Sequence, residues 1–225
     1  MARLKVPSVI QILVLFVVCV VASMIGFAVR NNASAPKPNQ PSALQRSDEK
    51  VVEIKEYSGK PYDVSELSVK KVKILPGEKL KVRSVAESED WLDGLEFNIK
   101  NKWDKQIIWI HIELDFPETA VGGSLMIGNL DMGIHPQATE NDKKYGKPLA
   151  LNPGETVTYT LSKQWLAVIK KFLEQGGFQL ANLNKVVIRI SSTIFNDGTS
   201  WSEGNWFRYD PKSPNAIRGY ERIKQ

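Results

Sequence analysis

Between Ile108 and Phe116 the sequence alternates without a break: Ile108, Ile110, Ile112, Leu114 and Phe116 share one parity, and Trp109, His111, Glu113 and Asp115 the other. Successive side chains of a strand point to opposite faces, so this run reads as a half-buried strand, apolar row to a core and polar row to water. A helix would scatter the same residues around its circumference. The same period recurs in Leu95, Phe97 and Ile99, in Val157, Tyr159 and Leu161 set among threonines, and in Val186, Ile188, Ile190 and Ile194. β-Branched residues suit such pleated surfaces.

Turn signals separate these runs. Leu75-Pro76-Gly77-Glu78 and Asn152-Pro153-Gly154-Glu155 place Pro-Gly where a type II turn wants it, and Asn196-Asp197-Gly198 has the chemistry of a hairpin loop. One helix interrupts the series. Ser162 is its expected N-cap, and Trp165, Leu166, Ile169, Phe172 and Leu173 recur at helical spacing up to Gly176-Gly177, where it would cap an open end of a sandwich. With no regular strand–helix–strand alternation, the expected fold is mainly β, an antiparallel two-layer β-sandwich with one inserted helix.

The first thirty residues are of another kind. From Ile12 to Val29 there is no charged residue, and Arg3 and Lys5 precede the run. As a helix it would span about 27 Å, close to the ~30 Å hydrocarbon core of a bilayer. The expectation is a transmembrane anchor over residues 1–30, with the N-terminus cytoplasmic and the rest periplasmic or at the cell surface. The rival is a cleaved signal peptide, since Ala33-Ser34-Ala35 is an A-x-A pattern. Residues 31–50, rich in Pro, Ser and Asn, read as a linker, 51–211 as the sandwich, and 212–225 as a basic tail.

Charge and cysteine usage narrow the function classes. The formal charge is +5, but Arg3, Lys5 and Arg30 carry three of those charges in a segment without acids, so the remainder is near neutral at +2. That excludes the sustained basic surface of a nucleic-acid binder. Cys19, the only cysteine, lies within the apolar run, which leaves the domain without disulfides, thiol nucleophiles or cysteine-based zinc sites.

Three constellations remain. His111, Glu113 and Asp115 share a strand face, but alternate residues sit roughly 6.6 Å apart and diverge, so a metal or acid–base site would need groups from another strand. A solvated face with Glu113 or Asp115 paired to Arg189 is the plainer expectation. Lys70, Lys71, Lys73, Lys79, Lys81 and Arg83 crowd what looks like one hairpin, where lysine protects sheet edges against foreign strands or meets an anionic partner. Trp201, Trp206 and Arg208 fall in a polar, glycine-containing stretch. They form either an aromatic platform for a protein or glycan, or core beneath the sandwich edge. No motif of hydrolases, metalloproteases or nucleotide binders occurs, and no cofactor or metal ligand set is expected.

The segments Ile99-Lys100-Asn101-Lys102, Lys105-Gln106-Ile107 and Asp115-Phe116-Pro117, followed by Asn152 to Glu155 and the stretch from Phe195 to Pro211, resemble a group of exported bacterial immunoglobulin-like sandwich proteins with no assigned activity. The likeness covers roughly residues 95–211. It implies an immunoglobulin-like fold and an extracytoplasmic compartment, and supplies no catalytic residues. The expected function is a non-enzymatic, membrane-tethered envelope domain that binds a protein or glycan or serves in assembly. The alternative is an envelope hydrolase using carboxylates or His111.

Overall fold

The computed structural model describes residues 49–75, 77–82, 84–121, 123–210, 212 and 220–223. The predicted anchor over residues 1–30, most of the linker, and Pro76, Arg83 and Pro211 lie outside them. Among the described residues no helix is long and apolar enough to cross a membrane.

The chain is mainly β, in two sheets with few helices, the arrangement of a sandwich. In the larger sheet, β9 (Lys185–Phe195) is the hub. Along one side it pairs antiparallel with β6 (Ile107–Val121), which in turn pairs with β7 (Ser124–Gly133). Its other side is shared. The first half pairs with β1 (Glu49–Ile54) and the second with β10 (Thr199–Ser202). Beyond β10 come β11 (Asn205–Tyr209) and β12 (Tyr220–Ile223). The smaller sheet has β2 (Tyr62–Val69) and β5 (Glu96–Asn101) between β3 (Val72–Lys73) and β8 (Thr156–Thr160). The last strand, β4 (Lys79–Lys81), lies beside β1 in the larger sheet.

Four expectations need correction. The sheets are not wholly antiparallel, because β1 runs parallel to β9. The linker ends before residue 49, since Glu49 and Lys50 are already strand. The segment read as a basic tail returns to the sheet as β12, with Ile223 opposite Trp206. The lysine-rich segment is not a hairpin: β3 belongs to the smaller sheet and β4 to the larger, so the chain crosses between layers there. The lysines therefore stand on the edge of each sheet, where they discourage pairing with other chains.

The runs predicted from alternation become β5, β6, β8 and β9, and their apolar rows meet. Tyr62, Phe97, Ile99 and Tyr159 from one sheet and Ile110, Ile112, Leu114, Val186, Ile188 and Ile190 from the other form one buried cluster. Tyr62 crosses the layers, its hydroxyl donating to the Ile190 carbonyl at 2.9 Å. Burial pushes that hydroxyl above its ordinary range, so it remains a donor. Ile194 is buried as expected, at 2% exposure, but off the parity of the predicted row. Ser191 is an extra residue between the Ile112–Ile190 and His111–Ser192 pairs, and this bulge reverses the parity, setting Ile194 opposite Trp109.

Both Pro-Gly-Glu turns close as expected. Glu78 and Glu155 each return a backbone hydrogen bond three residues back, and their carboxylates accept from Leu75 and Asn152 N–H at 2.9 and 2.8 Å. Two short helices escaped the sequence pattern, α1 (Val85–Glu89) and α2 (Glu140–Tyr145). The predicted one is α3 (Lys163–Gln175), capped by Ser162 Oγ accepting from Trp165 N–H. It lies along β7 rather than over an open end: a Cβ on Gly128 would stand 3.3 Å from Ile169, and one on Gly176 would collide with Met126.

A short 3₁₀ turn, Leu180–Asn182, joins these parts. Its interior carbonyls and that of the following Leu183 are taken by side chains from elsewhere: Trp91 Nε1 donates to Leu180 O, Ser88 Oγ to Ala181 O, and Lys50 Nζ to Ala181 O and Leu183 O at 2.8 and 2.9 Å. Lys50 is fully buried, its ammonium also meeting Asn184 Oδ1 at 3.1 Å. Lys50→Met keeps the stem volume and removes the donors, leaving buried acceptors bare. It should cost about 2 kcal/mol, read as a lowered urea midpoint at unchanged slope. An unchanged midpoint would show that the cost of burying the ammonium cancels its hydrogen bonds.

Candidate functional site

The polar row of β6 forms the outer face of the larger sheet, and neighbouring strands complete it. Register sets Asp131 of β7 and Ser192 of β9 on either side of His111, and Asn129 and Arg189 on either side of Glu113. His111 Nδ1 lies 2.7 Å from Asp131 Oδ1, and its Nε2 lies 3.6 Å from Glu113 Oε1. The Arg189 guanidinium bonds Glu113, reaches Asp115 Oδ1 at 3.3 Å and Glu203 Oε1 at 2.8 Å. Tyr57 donates to the same Glu203 oxygen at 3.1 Å. The expected Arg189 pairing is present, with a third carboxylate that strand alternation did not reveal. Glu203 comes from the β10–β11 turn, where it and Gly204 both have positive φ.

Environment separates these groups electrostatically. The hydrogen bond to Asp131 raises the His111 pKa, reinforced by the charges of Asp131 and Glu113 against the opposing effect of burial. His135, with its ring edge-on to Trp109 at 4.7 Å, is lowered by burial. Burial also raises Asp115, and Arg189 offsets only part of that. One imidazole is thus biased towards the charged form and a nearby one towards the neutral form.

Asp131, His111 and Ser192 stand in one cross-strand row, the residue types of a nucleophilic triad. The bonding is not that of a triad. Ser192 Oγ donates to the Trp201 carbonyl at 3.2 Å, and His111 Nε2 has Glu113 beside it. The concave surfaces lined by Asp90 and Lys170, by Val69 and Trp91, or by Val52 and Leu67 lie away from this row. Among the described residues no group of three or more His, Cys, Asp or Glu side chains is placed to hold a metal ion.

The aromatic residues singled out from sequence are elsewhere. Trp201 is wholly buried, edge-on to Tyr57 and Tyr62 at 5.7 and 5.4 Å. Trp206 is 7% exposed, stacked on Phe195 and tilted against Trp103. Both lie in the core, the second of the two alternatives, and offer no platform. Their positions follow from register, since Trp201 sits opposite Thr193 and Trp206 on the inward side of the sheet. Arg208, opposite Thr199 and Glu221, is exposed and lies apart from the His111 row. The half-buried aromatic on the polar face is Trp109, stacked with His111 at 5.5 Å.

No protein-family model matches this sequence, and no curated protein or solved structure matches it either.

The raised His111 pKa has a definite sign in the pH dependence of stability. A raised folded value contributes stability that is complete below the ordinary value of 6.5 and lost as pH rises through the folded value. Thermal melts of the native chain and His111→Gln should differ most near pH 5 and converge at alkaline pH. A gap that widened with pH would mean that the imidazole is held neutral.

Proposed function

We propose that this chain is a non-enzymatic envelope domain of immunoglobulin-like type. It is tethered to the membrane by its N-terminal apolar segment and presents the outer face of its larger sheet to a protein or glycan partner. One observation carries the binding reading: the polar face around Trp109 is already ordered before any partner arrives. Arg189 is held by three carboxylates and His111 by Asp131, so the side chains lose little freedom on binding. An indole flanked by carboxylates and an amide suits either a sugar ring or a polar protein surface. The uncharged run from Ile12 to Val29 and the basic residues before it support the tether and its orientation.

The hydrolase alternative has one supporting observation, the Asp131–His111–Ser192 row, and weakens on the engagement of Ser192 with a backbone carbonyl. A fluorophosphonate reagent separates the readings. A binding domain leaves Ser192 unmodified, whereas a hydrolase would show labelling that disappears in His111→Ala. In parallel, a photo-reactive phenylalanine analogue replacing Trp109 in the producing cells should give a discrete adduct that is lost on Arg189→Ala. Serine labelling, or no adduct at all, would overturn the proposal. Alkaline phosphatase fused after Gln225 should be active only if the domain is exported.

A further inference from the structure

α3 buries Leu166, Ile169 and Leu173, yet its apolar arc is wider than the face it packs. Trp165, Val168 and Phe172 recur at i, i+3 and i+7 and stay 48%, 54% and 40% exposed. The β6–β7 hairpin adds to this surface. Val121, 61% exposed, pairs with Ser124, which shares the parity of Met126 and Gly128 on the α3 side of β7. The two parts adjoin, because Met126 packs against Gly176 at the C-terminal end of α3. Lys171 borders the stripe on the exposed side.

Where the chain enters the described residues gives this patch its meaning. Val51 pairs with Lys185 and donates to the Asn184 carbonyl at 2.7 Å. The Glu118 carboxylate, four residues before the hairpin tip begins, accepts from Asn184 and Lys185 N–H at 2.9 and 3.0 Å. The first strand and the apolar hairpin therefore stand at the same end of the larger sheet. Before Glu49 the sequence holds only the stretch from residue 31 and the apolar run that precedes it. Eighteen residues, 31–48, reach at most about 60 Å at full extension.

We propose that the face formed by Val121, Trp165, Val168 and Phe172 docks on the lipid surface of the membrane that holds the N-terminal segment. The inference rests on the tether of the proposed function and names what the domain does beside it. Tryptophan and phenylalanine flanked by lysine are the residues that partition into the headgroup region. Four side chains would bind a vesicle weakly from free solution. A short tether raises the local concentration of lipid to the point where weak contacts are occupied. Docking on this side leaves the Trp109 face, on the opposite surface of the sheet from α3, available to a partner.

The N-terminal segment contains no tryptophan, so fluorescence reports on the domain alone. The full chain is reconstituted in vesicles of phosphatidylcholine and phosphatidylglycerol in equal parts, with and without bromine on the upper acyl carbons. Brominated lipid should dim the emission. Trp165→Phe should remove most of that loss, and Trp103→Phe, at a site away from the patch, should preserve it. Phe172→Lys should reduce the quenching with no change in melting temperature. Flotation after an alkaline wash reads the tether separately. A chain washed off the vesicles refutes the tether and this inference with it. A chain retained but blind to bromine refutes lipid docking alone, and cross-linking of two copies through α3 would then assign the face to a second copy.

Discussion

The carbonyls of the turn Leu180–Asn182 gather the parts of the chain that surround the start of β9. A turn entering the central strand of a sandwich has backbone acceptors facing the interior, and unpaired they would cost about 1–3 kcal/mol each. Trp91 and Ser88 approach from the α1 side and Lys50 from β1, so two separate parts of the chain converge on one short segment. The consequence is topological. With Lys50 drawn onto this turn, β1 lies beside the start of β9 and runs in the same direction, which leaves the far half of that edge to β10. The buried ammonium meets the Ala181, Leu183 and Asn184 oxygens and lies 5.9 Å from the Trp91 ring. Those dipoles offset part of the cost of burying its charge.

How legible the fold was depended on whether a residue's fate was decided locally. The rows Ile108 to Phe116 and Leu95 to Ile99 carry their period in plain sight and became β6 and β5. The turn glutamates Glu78 and Glu155 also act on their own neighbours, and both turns closed as expected. Lys50 was the opposite case. By composition it ends a polar linker, and only the geometry of a segment more than a hundred residues later makes it interior. The parity of β9 failed at Ser191 for a similar reason: a bulge is a property of a strand pair, and one strand's sequence does not announce it. The candidate site divides the same way. The polar row of β6 and its Arg189 partner were visible. Asp131, Asn129 and Glu203 depended on register and on an unusual turn, and the burial of Trp201 and Trp206 on which face of β10 turned inward.

The outer face owes its order to an imbalance. Glu113, Asp115 and Glu203 surround one guanidinium, and the arrangement persists because each carboxylate has a second constraint. Asp115 is nearly buried, Glu203 accepts from Tyr57, and Glu113 lies beside His111. Protonation of His111 supplies the positive charge that this cluster otherwise lacks. The imidazole thus belongs to the electrostatics of the whole face. A group that balances its neighbours in this way is poorly suited to be a free general base, which would need an unengaged nitrogen aimed at a substrate proton. The pairings that order the face thus engage both sides of the imidazole.

The hairpin beyond that face shows how the ladder is brought to an end without loss of direction. Pairing between β6 and β9 stops at Asp115, and Pro117 offers no N–H with which to continue it. The first N–H groups of β9 would then face an empty position. Glu118 fills it with a carboxylate, accepting from two successive backbone donors, and Thr119 accepts from Met126 N–H across the hairpin while donating to Phe116 O. These side-chain bonds replace a backbone ladder with a latch. The tip carrying Val121 and Leu125 is consequently held at a set angle to β1 while its apolar residues stay outside the core. The bonds of Glu118 and Thr119 tie the tip to the end of the sheet where β1 begins, and Val121 stays 61% exposed there.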